Sequence, residues 1–215
     1  MSRTRKQKKT GFSDDWATAR DCLGPDGKLS VIMPVYNLGP SIGTNSDRVR
    51  TLLEGCVPFE LVLVDDGSVD NTADALRLAA ARNPETVRPV LLDANVGKGA
   101  ALRAGLAACS GSHVLLLDGD LDLSPEKIPT FFTVMRAERA DIVIGSKRHP
   151  QSQIDYPWHR RLASWVYFTL VRILVGLPVT DTQTGMKLFR REALTWAFER
   201  MLCKRFAFDL EMLSI

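Results

Sequence analysis

Residues 114–126 read VLLLDGDLDLSPE, and this stretch indicates the fold class. Four consecutive large apolar residues before an acidic turn are typical of a short strand that is buried on both faces, as in a parallel sheet. Ligands of open parallel sheets bind beyond the carboxyl ends of the strands. We therefore expect Asp118, Asp120 and Asp122 to lie at a ligand-binding edge of the sheet.

Carboxylates spaced two residues apart point to the same side of an extended segment. Three of them together repel one another unless a divalent cation or a proton relieves the repulsion, and oxygen ligands suit Mg²⁺ or Mn²⁺. The sequence thus predicts a metal site at Asp118, Asp120 and Asp122. The alternative is a solvated acidic turn before a helix that Ser124 caps and Pro125 begins.

Strand and helix patterns alternate along the chain. The predicted strands are Lys28–Tyr36, Phe59–Asp65, Val87–Leu92, a strand at Val114 and Asp141–Gly145. The predicted helices run from Ser46 to Glu54, from Asp70 to Arg82, from the Asn95–Gly99 turn to Ser110, from Pro125 to Arg139 and from Arg191 to Cys203. This alternation indicates an α/β fold built from repeated crossover units around a parallel sheet.

The composition is that of a soluble globular protein, with 45% hydrophobic and 25% charged residues among 215. Five of the cations behind the net charge of +3 lie in residues 1–10, which hold no acid, so the remainder carries −2. This balance argues against nucleic-acid binding. We expect residues 1–27 to be a basic, disordered tail and residues 28–215 to be one domain, truncated within a helical pattern at Ile215. Four widely spaced cysteines favour reduced thiols and a cytoplasmic location.

The segment from Trp158 to Gly176 predicts a long helix that is nearly apolar but carries arginines. Arg172 makes the apolar run too short to span a bilayer. Two interpretations stay open. The helix either lies in a membrane interface with its arginines reaching the headgroups, or it covers the sheet as a core helix.

Six motifs follow one another along the chain: Pro34-Val35-Tyr36-Asn37, Val64–Ser68 with Asp70 and Thr72, Asn95–Gly99, Asp118-Gly119-Asp120, Gly145–Arg148 and Asp181–Lys187. In this order the sequence resembles family-2 inverting glycosyltransferases of the polyprenyl-phosphate type, such as dolichyl-phosphate glucosyltransferases and dolichol-phosphate mannose synthases. The resemblance covers residues 28–215. It implies the GT-A fold, a Rossmann-like, mostly parallel sheet flanked by helices, with an amphipathic interfacial helix near the C-terminal part.

The resemblance assigns one group of residues to a nucleotide-sugar donor. Asp118 and Asp120 match the metal-binding pair, whose Mg²⁺ or Mn²⁺ stabilises charge on the departing diphosphate. Asp122 stands where mannose synthases have Gln, and it ligates the metal directly or through water. Pro34 and Tyr36 offer a flat surface to the base, and Asp65 or Asp66 accepts its ring N–H. Lys98, at a helix start, contacts a phosphate or the sugar.

A second group matches the acceptor side. A lipid monophosphate is largely dianionic near neutral pH, so it needs cations that hold it in line more than it needs a strong base. Arg148, Arg160 and Ser164 match the acceptor-phosphate contacts. Asp181, Gln183 and Lys187 match a loop near the sugar and the acceptor. Leu38 replaces the acid that usually follows Asn37, which leaves the nucleotide open.

These implications predict a metal-dependent, inverting transfer of a hexose from UDP-glucose or GDP-mannose to a polyprenyl phosphate. The location implied is peripheral, at the cytosolic face of a membrane. Alternatives are a family-2 enzyme with a polysaccharide or other lipid acceptor, and a non-catalytic nucleotide-sugar-binding relative. A nucleotidyltransferase would show a Gly-rich basic signature after the first strand, which residues 33–42 lack.

Overall fold

The computed structural model describes residues 12–145, 184–201 and 211. The helices are α1 Phe12–Leu23, α2 Ser41–Leu53, α3 Thr72–Arg82, α4 Lys98–Ala108, α5 Ile128–Ala137 and α6 Arg191–Arg200, with a 3-10 helix at Pro125–Lys127. The strands are β1 Leu29–Val35, β2 Phe59–Asp65, β3 Val87–Leu91, β4 His113–Leu117, β5 Ile142–Ile144 and β6 Met186–Arg190. The α/β class predicted from the sequence is confirmed.

The six strands form one sheet in the order β3-β2-β1-β4-β6-β5. Strands β1 to β4 are parallel, whereas β6 pairs antiparallel with both β4 and β5. Alternate residues of the central strands pack into separate cores on the two faces. Helices α1, α2, α3 and α5 contribute to one core, and α4 and α6 contribute to the other. The four apolar residues before Asp118 are therefore buried on both faces, as predicted.

Strands β1 and β4 separate at their carboxyl ends. Their pairing ends at Ile32 and Leu116, while β1 stays paired with β2 as far as Val35. Pro34 explains this difference, because it has no N–H to donate to a ladder. The crossovers also run in opposite directions from β1 and β4, so the gap lies at the topological switch point of the sheet.

The predicted disordered tail at residues 1–27 is wrong for residues 12–23. These residues form α1, which packs against α5. Trp16 is 1% exposed and Ala19 is fully buried. Two apolar residues three positions apart on one helical face supply the burial that the polar composition of the tail conceals.

Strand β6 is a second departure from the prediction. The sequence predicts a loop at Asp181–Lys187, but Met186–Arg190 form a strand between β4 and β5. The predicted helix at Ser46 begins earlier, at Ser41, and the predicted helix from Pro125 begins with a 3-10 turn. The predicted helix at residues 158–176 lies outside the described residues.

Candidate active site

An open pocket of about 210 Å³ occupies the gap between β1 and β4. It is lined by Pro34, Val35, Tyr36, Leu38, Asp66, Lys98, Asp118, Gly119 and Asp120. The loops after β1, β2, β3 and β4 all contribute to it or support it. Four of the sequence motifs thus meet at one edge of the sheet, where an α/β fold binds its ligands.

One wall of the pocket is apolar. Pro34, Val35 and Leu38 line it, and the ring of Tyr36 is 46% exposed. Asn37, in the left-handed region at φ 52°, turns the chain after Tyr36. Its backbone N–H donates to Ser68 Oγ at 2.9 Å, and its Oδ1 accepts from the N–H of Val69 at 3.0 Å. The β1–α2 loop is thereby fixed on the β2–α3 loop.

Asp65 and Asp66 follow each other in sequence but face different partners. Asp65 is 2% exposed, and its Oδ1 accepts from the N–H and the hydroxyl of Ser68 at 3.0 and 2.5 Å. Asp66 lines the pocket and accepts from the N–H groups of Val96 and Gly97 at 2.9 and 3.0 Å. Asp66 is therefore the one of the two that a pocket ligand meets, and it also fixes the loop that leads into α4.

Lys98 and Asp118 form an ion pair across the pocket. Lys98 Nζ lies 2.5 Å from Asp118 Oδ1, and the two side chains are 32% and 31% exposed. The backbone N–H of Asp118 donates to the carbonyl of Gly185 at 2.9 Å. A Cβ at position 185 would lie 2.7 Å from Asp118 Oδ2, so glycine leaves room for the carboxylate there.

The predicted row of three carboxylates is wrong, because the chain turns immediately after β4. The N–H of Leu121 donates to the carbonyl of Asp118 at 3.0 Å, and Leu121 has φ 54°. Asp118 and Asp120 line the pocket, whereas Asp122 lies outside it, with its N–H 3.3 Å from Asp120 Oδ1. Within the described part of the chain, no three His, Cys, Asp or Glu side chains are grouped closely enough to hold a metal ion.

The turn itself is held from α2. Asn45 Nδ2 donates to the carbonyl of Gly119 at 2.8 Å. Gly119 is buried, and a Cβ there would lie 2.5 Å from Val35 Cγ1. Sequence analysis misses Asn45, because an asparagine within a helix gives no signal that its amide reaches a turn 74 residues away.

Lys187 lies behind Asp118, in β6 rather than in a loop. It is 3% exposed, and its Nζ donates to the carbonyl of Thr184 at 2.8 Å. It lines a small cavity of about 10 Å³ together with Lys98, Asp118 and Thr184. The predicted place of Lys187 in an open loop is therefore wrong, although it does lie near the pocket.

The other predicted site residues, Arg148, Arg160, Ser164, Asp181 and Gln183, lie outside the described residues. The two described residues that flank residues 146–183 are close together. The N–H of Gly145 donates to the carbonyl of Met186 at 3.1 Å, and a Cβ at Gly145 would lie 3.1 Å from Thr184 Cγ2. Gly145, directly after β5, and Thr184, shortly before β6, thus lie beside each other, and Thr184 lines the small cavity together with Asp118.

Comparison with known proteins gives a consistent result. Residues 30–196 match the model of a family described as glycosyl transferase family 2. A dolichyl-phosphate beta-glucosyltransferase of Homo sapiens is 30% identical over 208 residues, covering 89% of this chain and 63% of that protein. An undecaprenyl-phosphate 4-deoxy-4-formamido-L-arabinose transferase of Serratia proteamaculans is 34% identical over 171 residues, covering 79% of this chain and 51% of that protein. The chain thus spans 51% to 63% of the length of these two curated relatives.

Solved structures share the fold. A mannosyl-3-phosphoglycerate synthase from Rubrobacter xylanophilus superposes with a TM-score of 0.63 at 19% identity, covering 86% of this chain and 59% of that one. A glucosyl-3-phosphoglycerate synthase from Mycobacterium tuberculosis was solved with Mn²⁺, UDP-glucose and phosphoglyceric acid. It superposes with a TM-score of 0.61 at 22% sequence identity, and the match covers 89% of this chain and 64% of that one. The architecture is therefore GT-A, as predicted.

Proposed function

This chain belongs to glycosyl transferase family 2, and on that premise we propose that it transfers a hexose from a nucleoside diphosphate sugar to a polyprenyl phosphate, with inversion and with the help of a divalent metal ion. One observation carries the proposal. An apolar wall, a lysine and three carboxylates line a single pocket at the switch point of the sheet. A nucleotide sugar needs these three kinds of surface for its base, its diphosphate and a bridging cation.

Different residues of the pocket would bind the base and the diphosphate of the donor. Pro34 and the half-exposed ring of Tyr36 offer a flat apolar surface to the base. Asp66 stands at the same wall as an acceptor, already fixed by two backbone N–H groups. Lys98, at the start of α4, lines the pocket and would supply a cation to the diphosphate. Gln183 belongs to this group by its match to the family motif.

Asp118 and Asp120 fit a magnesium or manganese ion. Mg²⁺ is held in such sites by one or two carboxylates together with substrate phosphates and water, and both acids line the pocket. The bound ion would neutralise charge on the leaving diphosphate. The structures solved with Mn²⁺ among proteins of the same fold support this assignment.

The acceptor side is proposed from the family motif and from the named relatives. A polyprenyl phosphate is already a nucleophilic anion near neutral pH. Its attack on the face opposite the diphosphate gives a β-linked product, with Arg148, Arg160 and Ser164 holding the phosphate and Asp181 near the sugar, whereas the buried Lys187 supports Asp118 from behind. Thr184, which directly follows residues 146–183, lines a small cavity with Asp118, and Gly145 on the other side of that segment lies beside Thr184, which supports this placement.

Such a lipid acceptor implies work at a membrane surface, and we propose the cytosolic face. In the part of the chain that the structure describes, no helix has both the length and the apolar character to cross a bilayer. Attachment would then involve the predicted interfacial helix at residues 158–176.

A donor and acceptor screen tests the proposal. The full-length protein is incubated with UDP-glucose or GDP-mannose, Mg²⁺ or Mn²⁺, and either a short prenyl phosphate or 3-phosphoglycerate. The expected result is a hexosyl prenyl phosphate, detected by mass, which disappears with a chelator and in an Asp120→Asn variant. Transfer to 3-phosphoglycerate at the higher rate would overturn the lipid acceptor, and binding of donor without transfer to either acceptor would favour a non-catalytic relative.

A further inference from the structure

Lys98 occupies a position that helix energetics disfavour. It is the first residue of α4, whose first turn contains no acidic residue. The N-terminal end of a helix carries partial positive charge and favours anions over cations. The preceding Gly97 provides no side-chain cap. Helix stability therefore gives no reason for a lysine at this residue.

The partner of Lys98 is a proposed metal ligand. Its ammonium group lies 2.5 Å from Asp118 Oδ1. Asp118 Oδ2 faces the backbone of Gly185, where a Cβ would approach it to 2.7 Å. One carboxylate oxygen thus lies against the backbone just before β6, and the other already has a counterion. A divalent cation that enters the pocket meets Asp118 in this neutralised state.

We propose that Lys98 is a resident counterion that Asp118 exchanges for the metal ion, and that the diphosphate of the donor receives the displaced ammonium group. The proposal rests on the proposed function, because it assumes a metal and a diphosphate at this pocket. An ammonium group and a divalent cation repel each other at one carboxylate. The dianionic diphosphate offers Lys98 a new partner within the same pocket.

The exchange has a thermodynamic consequence. The metal alone binds weakly, since it must displace Lys98 into water, and the diphosphate alone binds weakly, since Lys98 must leave Asp118. When both bind, the metal replaces Lys98 at Asp118 and the diphosphate binds the released ammonium group, so neither ligand leaves a charge without a partner. Coupling of this kind is reciprocal: the factor by which UDP strengthens metal binding equals the factor by which metal strengthens UDP binding.

A Lys98→Met variant separates this role from simple phosphate binding. Mn²⁺ affinity without nucleotide is measured by electron paramagnetic resonance, and UDP affinity without metal by calorimetry. We expect Lys98→Met to bind Mn²⁺ alone roughly fivefold more tightly than the unaltered protein, the lower end of typical coupling. Its UDP affinity falls, and the coupling factor between Mn²⁺ and UDP falls by a similar amount.

Two further variants serve as controls. Lys98→Arg keeps a cation and should restore weak binding of Mn²⁺ alone. Lys127→Met removes an exposed lysine outside the pocket, so any effect on Mn²⁺ is long-range and should vanish at about 0.5 M salt. Thermal unfolding verifies that each variant folds, and Lys98→Gln replaces Lys98→Met if the latter does not.

The outcomes distinguish the two proposals. If the unaltered protein binds Mn²⁺ in a UDP-dependent way but Lys98→Met leaves the affinity for Mn²⁺ alone within twofold, the counterion proposal is wrong and the proposed function stands. The counterion proposal is also wrong if Lys127→Met reproduces the gain in Mn²⁺ affinity at high salt. If the unaltered protein binds neither Mn²⁺ nor UDP at this pocket, the proposed function itself is wrong.

Discussion

Asp120 and Asp122 are both acids of the turn after β4, yet they face different surroundings. Asp120 lines the pocket and Asp122 does not. We expect Asp120→Asn to lower kcat about 100-fold or more, since it removes a proposed ligand of the ion that would stabilise the leaving group. Steady-state rates in saturating Mn²⁺ measure this, and the melting temperature should stay within about 2 °C.

Asp122→Asn is the matched comparison, and Asp74→Asn on the exposed side of α3 gives the background. Asp122→Asn should reduce kcat less than about fivefold. An equal loss in both turn variants would mean that the three acids act together, as the sequence alone suggests.

Sequence analysis finds Asp118 and Asp120 because the carboxyl ends of parallel strands meet at one edge of the sheet, and it finds Pro34, Tyr36 and Lys98 through the resemblance to the family motifs. It does not distinguish the roles of Asp65 and Asp66. Which of the two faces the pocket depends on the backbone N–H groups that donate hydrogen bonds to each carboxylate, and these are known only from the folded structure. The placement of Asp122 fails for a related reason: the left-handed backbone of Leu121 breaks the alternation of an extended segment.

At the scale of elements, α4 brings Lys98 to the pocket by packing closely on the sheet. Gly105 permits this approach, because a Cβ there would lie 2.4 Å from Ile32 Cγ2 and 3.0 Å from Val64 Cγ2. We expect Gly105→Ala to destabilise the protein by about 1–3 kcal/mol through overpacking, despite the better helix propensity of alanine. The KM for the donor should rise as α4 shifts.

Gly43→Ala in α2 is the control, since a Cβ there meets nothing within 4 Å. Urea unfolding should show this variant to be as stable as the unaltered protein or slightly more so. If Gly105→Ala changed neither the stability nor the KM, the space between α4 and the sheet would accommodate a methyl group, and the close-packing argument would be wrong.

Helix α1 makes a second prediction at this scale. Trp16 is 1% exposed in the core that α1 shares with α5, whereas Trp196 on α6 is 47% exposed. Trp16→Ala should cost about 3–5 kcal/mol in urea unfolding, and Trp196→Ala less than about 1 kcal/mol. A negligible effect of Trp16→Ala would restore the disordered tail that the composition suggests.

The two elements that sequence analysis misreads share a physical cause. The apolar residues of α1 lie beside a run of cations, so the average composition hides the 3.6-residue period. Strand β6 is short and contains a lysine that is buried by its neighbours, which no local pattern reveals. Burial of a charged residue is a property of the assembled sheet.

Considered as a whole molecule, the protein has a polar cluster at the end of the sheet opposite the pocket. Glu60 near the start of β2 accepts from Ser30 Oγ at 2.7 Å and from the N–H of Ser110 at 2.6 Å, and it pairs with Lys28 at 3.2 Å. Burial alone would raise the pKa of Glu60, but these hydrogen bonds and the charge of Lys28 lower it to about 2. In the same region, burial and then the Arg190 charge lower the pKa of His113 to about 4.

These pKa values predict acid unfolding in two stages. In the unfolded chain His113 is protonated below about pH 6.5, whereas in the folded protein it stays neutral to about pH 4, so stability falls from about pH 6.5 to pH 4. Glu60 contributes no more than about 3 kcal/mol, present above about pH 4.5 and lost from there toward pH 2. Urea unfolding between pH 8 and pH 3 measures both stages.

His113→Gln should remove the upper stage, and Glu60→Gln should weaken the lower one, to which Asp70 and Glu126 also contribute because their pKa values are lowered in the folded protein. Glu85→Gln, an exposed acid without these partners, should leave both stages unchanged. A single transition that neither variant alters would show that other groups govern the acid response.

Because the Glu60 cluster and the pocket lie at opposite ends of the same strands, robustness and turnover can be engineered separately in this protein. A library restricted to the Glu60 end can be selected for heat or acid tolerance without changing the pocket residues that we propose to bind the donor. Conversely, Leu38 and Tyr36 can be varied to change the proposed donor preference while the hydrogen bonds of the Glu60 cluster continue to stabilise the fold.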